Sequence, residues 1–158
     1  MAGTIYSPAI SFEDISWLQS AWDGPIIVKG VQSVEDAKIL SELGVQGIVL
    51  SSHGSRQLDR GIPPIELLPD VVKAVGKKMD VFIDGSFMSG QDVYAAIALG
   101  AKAVFIGRAY LYGVMADGER GVEKVIELMR RDFINTMALT GNRNLDEVRQ
   151  TGAVLGNK

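Results

Sequence analysis

Four short apolar runs recur along the chain, each with a glycine or serine in one of its last two positions and each separated from the next by a stretch of helical spacing. This alternation leaves few folds open. The runs are Pro25-Ile26-Ile27-Val28-Lys29-Gly30, Gly47-Ile48-Val49-Leu50-Ser51-Ser52, Val81-Phe82-Ile83-Asp84-Gly85 and Ala103-Val104-Phe105-Ile106-Gly107-Arg108. They are rich in β-branched residues and almost continuously apolar, the pattern of strands buried on both faces. Between them, Ser33-Val34-Glu35-Asp36 opens a helix that Ala37, Ile39, Leu40 and Leu43 carry to Gly44. Pro69-Asp70 opens a second through Val71, Val72 and Val75 to Gly76. A third follows Ser89-Gly90 through Val93, Ala96, Ile97 and Leu99. The longest begins near Gly118-Glu119, with Val122, Val125, Ile126, Met129, Phe133 and Met137 on one face. Ahead of the first strand, Ser11-Phe12-Glu13-Asp14 caps a helix through Ile15, Leu18 and Trp22.

A helix followed by four βα units implies parallel strands joined by right-handed crossovers. A faint internal repeat accompanies them, since Glu42 to Leu50 resembles Ala98 to Ile106, in each case a helix end turning into a strand. Such units build either an open doubly wound sheet or a (β/α)8 barrel, and a whole barrel takes roughly 200 to 250 residues. At 158 residues the chain holds an α/β (β/α)4 half of a TIM barrel, four parallel strands with a preceding helix. The reading divides it into an N-terminal extension at 1–11, the half-barrel at 12–149 and a flexible tail at 150–158.

Charge and composition remove whole classes of function. With 16 Lys and Arg against 19 Asp and Glu, the net charge of −3 gives no surface suited to nucleic acid. No apolar run approaches the ~18 residues of a transmembrane helix and no basic-then-apolar leader opens the chain, so a cytoplasmic protein is expected. The absence of cysteine excludes disulfides, a thiolate nucleophile and cysteine-ligated metal, and a single histidine excludes His-rich metal sites.

The polar residues fall at one end of the sheet. Lys29, Ser51, His53, Asp84 and Arg108 lie at or just beyond the C-terminal ends of the four strands, where parallel α/β folds place their sites. A lysine ending a buried strand costs several kcal/mol unless paired, so Lys29 faces either a ligand or a carboxylate.

The run from Pro25 to Gly30, then Ser51-Ser52-His53-Gly54-Ser55-Arg56-Gln57-Leu58-Asp59, Asp84-Gly85-Ser86-Phe87-Met88-Ser89-Gly90 and Ile106-Gly107-Arg108-Ala109-Tyr110-Leu111-Tyr112-Gly113 together resemble the FMN-dependent 2-hydroxy acid dehydrogenases and oxidases. The resemblance covers roughly residues 12 to 149, in order and with family spacing. It implies the C-terminal half of a barrel, FMN as cofactor, and oxidation of a 2-hydroxy acid to a 2-oxo acid by hydride transfer to flavin N5. On this resemblance His53 matches the base and Arg56 the carboxylate clamp, so both bind substrate. Lys29 matches the cation beside flavin N1, Ser51 a flavin-contacting hydroxyl, and Asp84 an acidic partner orienting the histidine. Gly85, Ser86, Gly107 and Arg108 match the phosphate site. There the chain departs from the usual Asp-Gly-Gly-hydrophobic-Arg pattern: Ser86 stands for a glycine and Met88 for the arginine.

Three alternatives stay open at this point. The Met88-Ser89-Gly90 variant with Gly107 to Gly113 also looks like the branch associated with mycofactocin maturation, which implies a peptide-derived amine as substrate. A phosphate-binding lyase or isomerase uses the same anion site without flavin, but has no need of Lys29, His53 and Arg56 in combination. A non-catalytic half-barrel assembly module keeps the motifs without turnover. Four parallel strands leave two unpaired edges, so the expected macromolecular partner is an N-terminal half-barrel or a second copy of the chain, and a fragment with little turnover alone is expected.

Overall fold

A computed structural model describes residues 10–156, so residues 1–9 of the N-terminal extension and 157–158 of the tail lie outside the described residues. The elements run α1 (Phe12–Ala21), β1 (Ile27–Val31), α2 (Val34–Glu42), β2 (Gly47–Leu50), a single 3-10 turn at His53–Ser55, α3 (Pro64–Val75), β3 (Asp80–Asp84), α4 (Gly90–Ala98), β4 (Val104–Phe105), α5 (Arg108–Thr140) and α6 (Leu145–Thr151). The four strands form one parallel sheet in the order β1-β2-β3-β4. Among the described residues no helix is long and apolar enough to cross a membrane.

The helix starts follow from their capping residues. Ser33 Oγ accepts the Asp36 N–H at 3.0 Å and Ser89 Oγ accepts the Asp92 N–H at 3.1 Å, each cap contributing about 1 kcal/mol. At Ser11, the backbone N–H donates to the Asp14 carboxylate at 2.7 Å. Both α2 and α4 stop at a glycine in the left-handed region, Gly44 at φ 77° and Gly100 at φ 103°.

The sheet buries one face against the helices. Ile48, Leu50, Val81 and Ile83 pack with Leu40 of α2, Leu68 and Val71 of α3, and Ala96 of α4. A second cluster joins Tyr94, Ile97 and Ala98 of α4 to Val148 of α6, with Phe133 and Met137 of α5 against it. Gly90, the first residue of α4, makes that docking close: a Cβ there falls on backbone atoms of Met129, Asp132 and Phe133. Asp132 on α5 accepts the Gln91 N–H at 3.0 Å. At the start of α6, Asn144 Oδ1 accepts the Glu147 N–H at 2.9 Å. The hydrogen-bonded Arg143 guanidinium holds the Glu147 carboxyl below its ordinary range.

Several expectations are corrected. Only β2 is buried along its whole length; β1 leaves Ile27 and Lys29 exposed, and β4 leaves Phe105 exposed. The second face mixes apolar residues with Lys29, Asp80 and Asp84, and of it Val49 is buried while Ile27 and Phe105 stay exposed. The helix expected from Pro69 starts at Pro64, because a proline at the first position forfeits no intrahelical bond. Pro69 then sits inside the helix. The longest helix starts not at Gly118 but at Arg108, and it breaks at Asp117 and Gly118 (φ 55°, ψ −130°). The two segments fold together at Gly113 and Gly121, whose backbones touch. Helix α6 was not expected, and it runs through residues 150 and 151, past the boundary read at 149.

Candidate active site

Side chains alternate across a strand, so the face opposite the helices is set by register. Lys29 pairs with Val49 and Val49 with Phe82, while Asp84 pairs with Phe105. This places Ile27, Lys29, Val49, Phe82, Asp84 and Phe105 on one open face, with Ser51 continuing it beyond β2. Contacts across the face agree: Phe82 and Phe105 meet edge-to-face at 5.8 Å.

At the C-terminal end of this face the polar residues converge. Lys29 Nζ lies 2.7 Å from Asp84 Oδ2 and donates to Ser51 Oγ at 3.0 Å. Ser51 is fully buried, and its Oγ also accepts the His53 N–H at 3.1 Å. One hydroxyl therefore ties the lysine to the start of the histidine loop. The loop is backbone-strained, with His53, Gly54 and Ser55 at φ 53°, 69° and 58°. For the two non-glycine residues this costs roughly 1 to 2 kcal/mol each, the kind of strain that concentrates at functional positions.

Gly30 explains where the imidazole goes. The β1–β2 register shifts between Lys29 and Val31, and Gly30 takes up the irregularity at φ 100°. A Cβ at Gly30 would stand 2.6 Å from His53 Nε2, so the histidine ring rests on the bare backbone of β1. Gly30 is a site residue that motif reading missed. Its signal was present, since it closes the first apolar run just as Gly85 closes the third, beside the catalytic candidates.

Two expected roles change. Lys29 does not carry a burial cost, since its side chain is 47% exposed. An ion pair so placed contributes only about 0 to 1 kcal/mol and acts by fixing where the ammonium points. Asp84 was expected to orient His53, but its carboxylate is engaged by Lys29. Asp84 lies on the same face as Lys29, two residues beyond Phe82, which pairs with Val49 as Val49 pairs with Lys29, and the lysine side chain reaches it there, while His53 stands on its own loop. Arg56 lies three residues beyond His53, exposed, with no hydrogen bond or ion pair among the described residues. Nearby Asp59 accepts the backbone N–H of Arg60 at 2.9 Å.

The second part of the site lies after β3 and β4. Gly85 and Ser86 take φ 109° and 62° in succession, and Arg108 Nη2 donates to Ser86 Oγ at 3.2 Å. Arg108 does not end a strand as expected but begins α5, because β4 stops at Phe105 and Gly107 serves as the N-cap. Gly107 has no side chain with which to cap, which leaves the first N–H groups of α5 and the guanidinium together as an anion receptor. Met88 does not join them. It lines a cleft between the start of α4 and α5, beside Leu128, Met129 and Arg131. Ser86→Gly removes the left-handed strain and is expected to raise stability by about 1 kcal/mol, read as a shift of the urea midpoint; no gain means that the hydroxyl contact with Arg108 offsets the strain.

Residues 1–154 match the family model for FMN-dependent dehydrogenase. A putative L-lactate dehydrogenase of Mycobacterium tuberculosis is 48% identical over 145 residues, 92% of this chain and 35% of that protein. Glycolate oxidase 3 of Arabidopsis thaliana is 49% identical over 143 residues, 90% of this chain and 39% of its own length. Among solved structures, a mandelate oxidase variant with the monooxide FMN adduct superposes with a TM-score of 0.87 at 38% identity, over 92% of this chain and 46% of that one. The chain thus spans less than half the length of each. The fold is the (β/α)4 half of a (β/α)8 barrel. The family match, running over nearly all of the sequence and over every strand end described above, shows that the chain belongs to the FMN-dependent dehydrogenases.

Proposed function

We propose that the chain carries flavin-binding and proton-handling residues for the oxidation of a small 2-hydroxy acid to the 2-oxo acid. The observation that carries this is the Lys29 ammonium, held by Asp84 and Ser51 on the open face, with the His53 ring resting on the next residue, Gly30. A fixed cation there suits the negative charge that a reduced flavin ring gathers. The relatives are named for lactate, glycolate and mandelate, each a carboxylate with a hydroxyl on the adjacent carbon. Those names favour a hydroxy acid over a peptide-derived amine.

Each substrate group has a residue suited to it. Arg56 offers an unengaged planar guanidinium, which binds a carboxylate with two parallel hydrogen bonds. His53 accepts the hydroxyl proton, a transfer that general-base catalysis makes concerted with loss of the C–H bond. FMN, when bound, takes up the hydride.

The anion receptor fits the FMN phosphate. The start of α5 is uncapped, Arg108 adds a full positive charge, and the Gly85-Ser86 turn brings its backbone alongside. Met88 supplies no second charge, so Arg108 is the principal one. Arg108→Ala is therefore expected to weaken FMN binding by about 1.5 kcal/mol or more, roughly tenfold, measured by quenching of flavin fluorescence on titration. Equal affinity places the phosphate elsewhere. The reading as a whole is tested by loading the protein with FMN and adding lactate, glycolate or mandelate without oxygen. Bleaching of the flavin absorbance by at least one is expected; failure to bind FMN overturns the proposal.

A further inference from the structure

Helix α5 changes direction within its own length. Its backbone leaves helical geometry at Asp117 (φ −158°, ψ 37°) and Gly118 (φ 55°, ψ −130°), and the second pair of angles is open to glycine but strained for any residue with a Cβ. The segments on either side, 108–116 and 119–140, then cross at Gly113 and Gly121. A Cβ on Gly113 would stand 2.7 Å from Gly121 O and 3.0 Å from Val122 N, and one on Gly121 would collide with the Gly113 carbonyl. Both glycines are buried. The contact is backbone on backbone, so neither side can rotate away from an added atom.

The two segments do not yield equally when the crossing is forced apart. The second is fixed to α4 by the close seat of Gly90 on Met129, Asp132 and Phe133, by the Gln91 N–H to Asp132 bond and by the Tyr94–Phe133 ring contact. The first has Ala109 and Gly113, four residues apart on one helical stripe, as its buried positions. A wedge at the crossing therefore moves the first segment. That segment begins with Arg108, whose Nη2 donates to Ser86 Oγ at 3.2 Å, and with the N–H groups that Gly107 leaves uncapped. Ordinary van der Waals contact starts at 3.4 Å, so a Cβ on Gly113 parts the backbones by about 0.7 Å. Arg108 is about 7.5 Å of helix away, and a rigid segment that short carries the shift to its end. The Arg108–Ser86 contact then lies beyond hydrogen-bond reach.

We propose that the Gly113–Gly121 crossing, together with the reversal at Gly118, positions the anion receptor: it holds Arg108 and the first N–H groups of α5 against the Gly85-Ser86 turn and so sets the affinity for a flavin that carries a phosphate. This rests on the reading of that receptor as the phosphate site and extends it to residues that touch no ligand. Gly113, Gly118 and Gly121 act through Arg108.

The test is titration of the whole 158-residue chain with FMN and, separately, with riboflavin, which has the same ring and ribityl chain without the phosphate, each followed by flavin fluorescence. The unaltered chain is expected to bind FMN more tightly. Gly113→Ala weakens FMN binding about tenfold, the loss expected for a charge-assisted hydrogen bond, and leaves riboflavin affinity unchanged. In an Arg108→Ala background the same substitution costs about twofold or less, because the two changes act on one contact. Gly118→Ala meets no atom within 4 Å and strains the reversal alone; it produces the same selective loss without a clash, and it carries the test if circular dichroism finds Gly113→Ala unfolded. Equal binding of FMN and riboflavin by the unaltered chain overturns the phosphate reading and this inference together. A preference for FMN that survives in Gly113→Ala and Gly118→Ala overturns the inference alone. So does an equal loss for both flavins, or a full tenfold loss in the Arg108→Ala background, either of which assigns the glycines to stability and not to the receptor.

Discussion

His53→Ala is expected to slow reduction of the bound flavin by a 2-hydroxy acid about 100-fold or more while leaving FMN affinity unchanged. The chain has a single imidazole, and imidazole is the side-chain type that exchanges protons near neutral pH. Its Nε2 lies over the end of β1, away from the Ser86–Arg108 contact that the phosphate reading depends on, so the two functions separate. Anaerobic stopped-flow absorbance reads the rate, and a titration reads the affinity. Gly30→Ala serves as the companion: its Cβ displaces the ring from the place it occupies, and the left-handed φ strains the strand end. It is expected to lower the same rate through His53 position. If His53→Ala reduces the flavin at the unaltered rate, the proton goes to another group.

The second large effect is on stability. Gly90→Ala is expected to lower the unfolding free energy by about 1 to 3 kcal/mol, seen as a lower urea midpoint with the slope retained. The new Cβ meets the backbone of Met129, Asp132 and Phe133. Backbone of a helix cannot rotate aside as a side chain does, so α4 and α5 must separate. The Gln91 N–H to Asp132 bond and the Tyr94–Phe133 ring contact at 6.0 Å lie in the same seam and are weakened with it. An unchanged midpoint means that the two helices tolerate the separation.

The parts of this fold that were legible in the sequence were those encoded locally. Apolar runs closed by Gly30, Gly85 or Gly107 located the strand ends, and serine caps located α2 and α4, because each signal spans a few residues. The pairing of Asp84 was not legible. It depends on how three strands align sideways, and no single segment contains that alignment. Pro63-Pro64 reads as loop unless the first helical turn is allowed to begin on proline. In α5 Gly118 suggested a late start, whereas it serves a break inside one element, and Gly113 serves a close backbone contact with Gly121. Helix α6 buries only Val148, too little to leave a period, although Asn144 and Glu147 form a capping signal.

Every strand pairs with its neighbour in sequence, Ile27 with Gly47, Gly47 with Asp80 and Ile83 with Val104. No strand waits for a distant one. Each addition closes a loop of a few tens of residues, for which the entropy cost grows only slowly with length, and such local ordering favours fast folding. Synthesis proceeds at roughly 5 to 20 residues per second, slower than the closing of loops this short. The sheet can therefore grow strand by strand at the ribosome, with β1 and β2 joined before β4 has been translated. Through that growth the described sheet has two open edges, the outer side of β1 from the start and that of each newest strand in turn, and each is a place where a nascent strand can mispair.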